Sequence, residues 1–414
     1  MSAREQSPQA LPLRVNMVWN SVGSIGRLVC NYLVTIVVVR LSHGFDAAGA
    51  LALAMSIANL VTPFADFRLR TLQVTDVKNE RSSGSYVGLR VLTSLLAFVI
   101  GTVYAVATTR LDAMPVIVLY LVYSLATNFI EVFHAIDQRN RRMDFIGKSY
   151  LMQGVGTLVV FCLLIWSTNS LELAVTAMGV VTLLICFLYD IPRAASFESI
   201  RPEFELGPAV GALARLLPLV IAQVCSSAVL AIPRQHLAAT LGTAALGIYS
   251  SVASPTLIVQ MGATYVYSPL MGEFAETFYQ DKRVAMRLLR KTFLAILVVA
   301  AMTSLLLLVL GKPLLWVLFG EGIVEHVYLI QPAILSTIMT ALAWFMNDLL
   351  LTLRDFKGSF IGNITAALVT LIVSRMLVDA FGMNGVSWVG VVSYGVAVAV
   401  MGGFLARAYR RLDS

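Results

Sequence analysis

Charge is scarce in this chain. Only 13% of its 414 residues are Asp, Glu, Lys or Arg, about half of the ~25% typical of a soluble domain. With 58% hydrophobic residues and a mean hydropathy of +0.82, too little polar surface exists to enclose the apolar residues in water. Lipid must solvate part of the molecule. Cysteine is scarce as well: Cys30, Cys162, Cys186 and Cys225 all lie inside apolar runs, and none forms a C-x-x-C pair. That excludes a disulfide framework and a sulfur-ligated metal site, and leaves four small buried hydrophobes. Histidine occurs four times. Glu131-x-x-His134 has the i,i+3 spacing of a di-iron ligand pair, but it occurs once, with His43, His236 and His326 scattered elsewhere, so no metal is assigned. The chain has no H-E-x-x-H, G-x-S-x-G or P-loop pattern, so no catalytic residue, nucleotide site or cofactor is assigned. The net charge of +7 does not point to nucleic acid, because the cations are confined to loops and not gathered on a soluble domain.

What is present is a series of twelve apolar runs, each reaching the roughly 20 residues a spanning helix needs. They lie near 15–41, 47–67, 86–109, 115–136, 149–167, 172–190, 208–232, 243–268, 288–310, 327–352, 359–379 and 385–406. The first run carries Asn16, Asn20, Arg27 and Asn31 and no small-residue cleavage signature, so it reads as a retained span. Of the thirty lysines and arginines, 22 fall in the loops of one side, Arg70 among them, and three (Arg110, Arg234, Lys312) on the other. The remaining five, Arg27, Arg40, Arg90, Arg215 and Arg375, fall within spans or at their edges. This asymmetry places both termini in the cytoplasm.

The expectation is therefore an all-α integral membrane protein of the cell inner (plasma) membrane, with twelve transmembrane helices in two six-helix lobes. Its parts are a cytoplasmic segment 1–14, an N-lobe 15–190, a cytoplasmic linker 191–207 containing Pro192 and Pro202, a C-lobe 208–406 and a cytoplasmic tail 407–414. A weak internal repeat supports two halves. Gly44 to Gly49 and Gly242 to Gly247 are both G-x4-G, 198 residues apart, and Ser56 and Ser254 keep that offset. The G-x-x-x-G patterns starting at Gly84, Gly207 and Gly358 suggest close helix packing. Pro63, Pro115, Pro255, Pro269 and Pro332 are expected to kink or end spans.

A charge within the hydrocarbon costs about 2.5–3.5 kcal/mol on insertion scales, so it faces a cavity or a partner. Arg27 is the clearest case, and Asn20, Ser24 and Asn31 share its helix face. This stripe reads either as a lining that contacts an anionic substrate group or as a structural hydrogen-bonding face. Arg215, in the repeat-related span seven with Gln223 two turns on, either faces the interior or snorkels to headgroups. Arg40 and Arg234, at the outer ends of spans one and seven, read as snorkelling or as gating residues. Arg375 with Asp379 reads as an i,i+4 ion pair, and Asp348 beside Asn347 as a solvated helix end or a proton site.

Local motifs then connect the chain to a family. Val39-Arg40-Leu41 through Gly44 and Gly49 is similar to the first outer hairpin of the multidrug/oligosaccharidyl-lipid/polysaccharide exporter (MOP) superfamily. Ala231-Ile232-Pro233-Arg234, Leu241-Gly242 and Leu246-Gly247-Ile248-Tyr249-Ser250 resemble its seventh-to-eighth span signature, and Leu318-Phe319-Gly320-Glu321 the motif after span nine. Within the superfamily the chain resembles the polysaccharide transporters, the O-antigen and capsule repeat-unit flippases of Wzx type. The resemblance implies two lobes in a V around a cationic cavity. It implies an undecaprenyl-diphosphate-linked oligosaccharide as substrate, moved by alternating access from the cytoplasmic to the outer leaflet, with Arg27 and Arg215 suited to the pyrophosphate. It also implies membrane lipids, a polysaccharide polymerase and a chain-length regulator as partners, and leaves H+ or Na+ coupling open. No well-buried acid is found in spans one or seven, which argues against the rival reading, a cation-coupled multidrug antiporter. A membrane glycan polymerase or acyltransferase would need a large outer loop, and the outer loops here are short.

Overall fold

The computed structural model describes residues 10–42, 44–76, 80–204 and 206–411. Arg4, His43 and Lys78 and the last three residues lie outside this set, as do the surroundings of Gly207. Among the described residues the chain is helical with no β-strand, as expected where lipid offers the backbone no hydrogen-bonding partner.

Twelve helices are long and apolar enough to cross a membrane. They are α1 (Leu13–Leu41), α2 (Asp46–Thr75), α3 (Ser83–Thr108), α4 (Leu111–Arg139), α5 (Met143–Thr168) and α6 (Leu171–Ala195). The second six are α7 (Leu213–Leu241), α8 (Thr243–Phe278), α9 (Arg283–Phe319), α10 (Glu321–Thr352), α11 (Phe356–Phe381) and α12 (Met383–Arg410). Their positions agree with the twelve apolar runs. Rows of exposed apolar side chains such as Leu95, Val99 and Val103 on α3 are the surface that lipid solvates.

Helices α4 and α10 open in 3-10 conformation, over Leu111–Ala113 and Glu321–Leu329, and three others depart from regularity for a local reason. In α2, Phe67 and Arg68 are left-handed (φ 42° and 51°), so the last turns restart in a new direction. Pro63 itself is accommodated inside the helix, and its carbonyl accepts from Phe67 N–H at 3.0 Å. In α8, Pro255 and Pro269 each sit in a short 3-10 turn, where a missing donor is tolerated. In α6, Cys186–Asp190 forms a π-helical turn, and Ile191 N–H reaches back to the Cys186 carbonyl. Pro192 follows directly, and the helix runs on through it to Ala195, so the non-helical part of the linker begins only at Ser196. Pro115 lies at the start of the regular helix of α4, where proline suits the first turn. Pro332 lies in the first turn of α10's regular part. Pro313 is enclosed in α9 without ending it.

By internal contact the chain forms two compact units. The first takes in α1, Ile57–Val220 and hence most of α2 through α6. Its core is built on Tyr86, Ile130, Phe133, Ile136 and Cys186. Helices α1 and α5 meet along a glycine seam. A Cβ on Gly147 would strike the Trp19 carbonyl, and one on Gly154 would lie 2.9 Å from Arg27 Cα. Buried Asn16 ties this pair down: its Nδ2 donates to the carbonyls of Leu11 (3.0 Å) and Arg141 (2.9 Å), and its Oδ1 accepts from Met143 N–H at 2.8 Å. The G-x-x-x-G at Gly84 and Gly88 does not receive a helix. It receives the linker: a Cβ at either position would strike the carbonyl of Arg201 or Glu203, and Glu203 N–H donates to Gly84 O at 3.0 Å.

The second unit joins Gly44–Ser56 to the chain from Ile221 onward. The two G-x4-G motifs dock on each other reciprocally. Gly49 lies against the Thr243 carbonyl and Gly247 against the Phe45 carbonyl, while Thr243 Oγ1 donates to Asp46 Oδ1 at 2.7 Å. Gly44 and Gly242 have matching left-handed backbones (φ 89° and 90°). A second set of correspondences runs at an offset of 213 residues. Arg141 and Arg354 are left-handed (φ 56° and 59°), as are Asn169 and Gly382 (φ 51° and 57°). Helices α5 and α11 are both 26 residues long. Gly358 and Gly362 pack on Phe404 and Met401 of α12, a helix contact as expected from their spacing. The cleft between α8, α9, α10 and α12, about 290 Å³, is lined mainly by apolar side chains, among them Phe274, Phe278, Leu349 and Tyr409.

Candidate functional site

A set of polar side chains in the first unit converges on Glu131, about two turns from the C-terminal end of α4. From α1 comes Arg27, whose guanidinium carbon lies 4.1 Å from the Tyr150 ring centre. Its Nη1 is 3.9 Å from Glu131 Oε1, and its side chain is 26% exposed. The glycine seam makes this possible, since Gly154 lets α5 approach the Arg27 backbone directly. At 100° per residue, Asn20, Ser24, Arg27 and Asn31 occupy a sector of about 60°, beside the buried stripe Asn16, Gly23, Cys30, Val34 and Val38. Asn20 is half-buried, and Ser24 and Asn31 are exposed.

Arg70 reaches the same carboxylate from the redirected end of α2. Its Nη1 donates to Glu131 Oε2 and, at 2.9 Å, to Tyr150 Oη. Its Nε and Nη2 donate to Gln138 Oε1 at 3.3 and 3.0 Å. By sequence Arg70 falls among the loop cations. The left-handed pair Phe67–Arg68 instead turns the chain back so that Arg70 meets α4. Tyr150 Oη in turn donates to Glu131 Oε1 at 2.9 Å.

Behind Glu131 lies a sealed polar row. His134 is wholly buried, with Nδ1 3.8 Å from Glu131 Oε1 and Nε2 3.3 Å from Asp190 Oδ1. Its ring stands edge-on to Tyr150, centroids 4.9 Å apart. Asp190, 1% exposed, ends the π-helical turn of α6, and that extra residue per turn aims it at α4. Asp137 is fully buried, and neither carboxylate oxygen has a hydrogen-bond partner among the described residues. Glu131, His134 and Gln138 fall at i, i+3 and i+7, one face of α4. The helical spacing that groups the polar face of α1 groups these residues as well. No group of three His, Cys, Asp or Glu side chains among the described residues is arranged to hold a metal.

The other cations divide into structural and surface roles. Arg90, wholly buried, donates to the carbonyls of Ala65 (2.8 Å) and Asp66 (3.2 Å) and to Asn128 Oδ1 (2.6 Å). It satisfies the carbonyls freed where α2 breaks. Arg142, between α4 and α5, grips Asp144 through Nε and Nη2 at 2.8 and 3.0 Å. That hydrogen-bonded carboxylate raises the guanidinium's pKa further. Arg215 and Gln223 are exposed on the long seventh helix. Arg40 lies in the last turn of α1, and Arg234 is half-buried in α7.

Arg375 is 85% exposed with Nε 3.8 Å from Asp379, the i,i+4 pair read from sequence. Asp379 also meets His236 at 2.8 Å. Asp348 is half-buried one turn before the end of α10. It accepts from Tyr267 Oη at 3.1 Å and from Asn347 Nδ2 at 3.3 Å. Asn347 Oδ1 accepts from Ser359 Oγ and Asn363 Nδ2 at 2.7 and 2.8 Å. The packing of α8 and α11 against α10 half-encloses this group. All four cysteines are free, with Cys30 and Cys186 buried.

No family model matches the chain. It is 20% identical to the capsular polysaccharide biosynthesis protein CapF of Staphylococcus aureus over 386 residues, which is 92% of this chain and 96% of that protein. Among solved structures it is similar to the lipid II flippase MurJ in an inward closed conformation, with TM-score 0.71 and 10% identity, covering 96% of this chain and 90% of that one. It is also similar to an inward-facing multidrug resistance MATE family transporter of the MOP superfamily, with TM-score 0.64 and 16% identity, covering 96% and 98%.

Proposed function

We propose, from the premise that this multi-pass membrane protein has the fold of the MOP superfamily of transporters, that it is a flippase. Its substrate on this reading is an undecaprenyl-diphosphate-linked oligosaccharide repeat unit, moved from the cytoplasmic to the outer leaflet by alternating access for synthesis of a surface polysaccharide (O-antigen, capsule or exopolysaccharide). The observation that carries this reading is the convergence of Arg27 and Arg70 on one carboxylate within the span region. Two guanidiniums sharing one carboxylate leave a net positive charge, and Arg27 keeps part of its surface open. A diphosphate offers more acceptor oxygens than Glu131, and arginine forks match phosphate geometry bidentately. The likeness to a capsular polysaccharide biosynthesis protein along most of both chains supports the substrate class. The reading includes cytoplasmic termini, the plasma membrane as location, and a polymerase and chain-length regulator as downstream partners. Arg215 and Gln223 are assigned to later contacts with the same head group.

A second reading, a cation-coupled drug antiporter, is favoured by one observation: Asp137 and Asp190 are buried carboxyls in α4 and α6, although none lies in spans one or seven. A clean deletion separates the two. Accumulation of a lipid-linked repeat unit on the cytoplasmic leaflet of sealed vesicles is the expected result, and its mass identifies the sugar. Unchanged surface glycan with raised drug sensitivity would replace the flippase reading with the antiporter.

A further inference from the structure

The buried row behind Glu131 does more than position it. Arg70 and Arg27 already supply Glu131 with two cations. If His134 carries a proton, Asp190 at 3.3 Å compensates it. Asp137 then has no cation at hydrogen-bond distance, although it is wholly buried. With Glu131 held by the two guanidiniums, the row behind it has two buried carboxyls and one imidazole, one cation fewer than it needs when fully ionised. In a low-dielectric interior such a set settles its charge by holding protons, and buried Asp/Glu/His chains in membrane spans serve as proton relays. The imidazole bridges the row to the surface, with one nitrogen toward Asp190 and the other toward Glu131.

Other charges bear on the row from each neighbouring helix. Arg27 acts from α1, Arg70 from α2 and Arg90 from α3, all toward Glu131. Tyr150 stands edge-on to His134 from α5 and bonds Glu131, and Tyr189 and Cys186 face Asp190 from α6, Tyr189 also facing Asp137. Asp144 acts on Asp137 from the same helix, and Arg142 acts on it from the turn before. None of these groups has a polar atom at hydrogen-bonding distance of the row, and Glu131 comes no nearer than 3.8 Å to His134, so no fixed external hydrogen bond sets the row's charge.

We propose that His134, Asp137 and Asp190 form a proton-binding site linked to anion binding at Arg27 and Arg70. The inference rests on the anionic-substrate reading above and adds a second ligand to it. A proton taken up on the row adds positive charge next to Glu131 and weakens that carboxylate's hold on the two guanidiniums. Anion binding and proton uptake then reinforce each other, by the reciprocity of linkage. The affinity for a diphosphate rises as pH falls, by up to about tenfold per pH unit while one proton is exchanged.

The test uses the purified full-length protein in sodium-free lipid nanodiscs, with inorganic pyrophosphate as probe. Calorimetric titration in buffers of different ionisation heat counts the protons taken up on binding. Uptake of a fraction of a proton up to one is expected for the wild type and for His326→Gln, and near zero for His134→Gln and Asp190→Asn. Pyrophosphate binding with no buffer dependence in the wild type would overturn the linkage and leave the flippase reading standing. Binding that responds to sodium at fixed pH, without proton uptake, would also overturn it. If pyrophosphate does not bind at all, the arginine site has failed, and a ligand-free measurement decides the proton site. Nitrogen-15 histidine spectra and infrared carboxyl bands are followed between about pH 5 and 8, where histidine charge changes matter. The four histidines are assigned with the substituted proteins. Titration of His134, or of a carboxyl band lost in Asp137→Asn or Asp190→Asn, upholds the site. A row that is invariant over that range sinks it.

Discussion

At the residue scale, the two arginines carry separate expectations. Removing a charge-assisted hydrogen bond costs about 1.5–3 kcal/mol, so Arg27→Ala and Arg70→Ala are each expected to weaken diphosphate binding by roughly 10- to 100-fold. Export should fall accordingly while protein levels hold, and Arg27→Lys should retain part of it. Titration with pyrophosphate and a surface-glycan assay check this, and normal export by Arg27→Ala would remove that residue from the site. Asp76, outside the spans, gives a pH expectation. Burial pushes its carboxyl up, but the N–H groups of Glu80 and Arg81 (2.9 and 3.1 Å) and the Tyr86 hydroxyl (3.1 Å) outweigh this and lower its pKa. The contribution of this loop to stability is therefore present above the unfolded carboxyl value of about 3.9 and is lost as pH falls through the depressed folded value. Hydrogen exchange at Glu80 and Arg81 should accelerate in that acid range, and at neutral pH in Asp76→Asn. Arg27 was legible in the sequence because its depth in an apolar run is visible without a structure. Arg70 was not, because its meaning depends on two left-handed residues that no spacing rule announces. Asp190 was hidden likewise by a π-turn, which shifts the helix face by one residue.

At the element scale, glycine decides which helices touch. Gly147→Leu would place a side chain into the Trp19 carbonyl. Overpacking of this kind costs typically 1–3 kcal/mol. A lower apparent melting temperature in detergent is expected, with a loss of anion binding because Arg27 moves with α1. Gly211→Leu, at a glycine with nothing within 4 Å, is the control. Gly88→Leu should instead release the linker, since its Cβ direction is filled by the Glu203 backbone. Faster limited proteolysis near 196–204 with an unchanged melting temperature of the helices would bear this out. The G-x-x-x-G spacing was legible, but what fills it was not, because a linker strand and a helix make the same demand for a bare backbone. The prolines were legible as irregularities at Pro255 and Pro269, whereas Pro63 and Pro313 are absorbed within helices.

At the scale of the whole molecule, all twelve spans were legible, because hydrophobic length is a property of the chain alone. The distribution of cations further predicts sidedness. Single cysteines placed at Asp112 and at Asp281 in a cysteine-free protein should react with an impermeant thiol reagent from outside and from inside, respectively. Labelling of both from one side would reject the assigned orientation. The two offsets described above, 198 residues at the glycine hairpins and 213 at the left-handed turns, differ by 15 residues. Much of that difference falls in α9, 37 residues against the 26 of α3. The two halves thus match as an internal repeat whose second copy is longer, chiefly in α9. Under the larger offset Glu131, His134 and Tyr150 correspond to Trp344, Asn347 and Asn363. The paired positions thus differ in chemistry: Glu131, His134 and Tyr150 are ionisable, whereas Asn347 and Asn363 are amides that bond each other and the neighbouring Asp348. Substitution should be tolerated unequally at these paired sites, and saturation mutagenesis scored by surface glycan would read that difference directly.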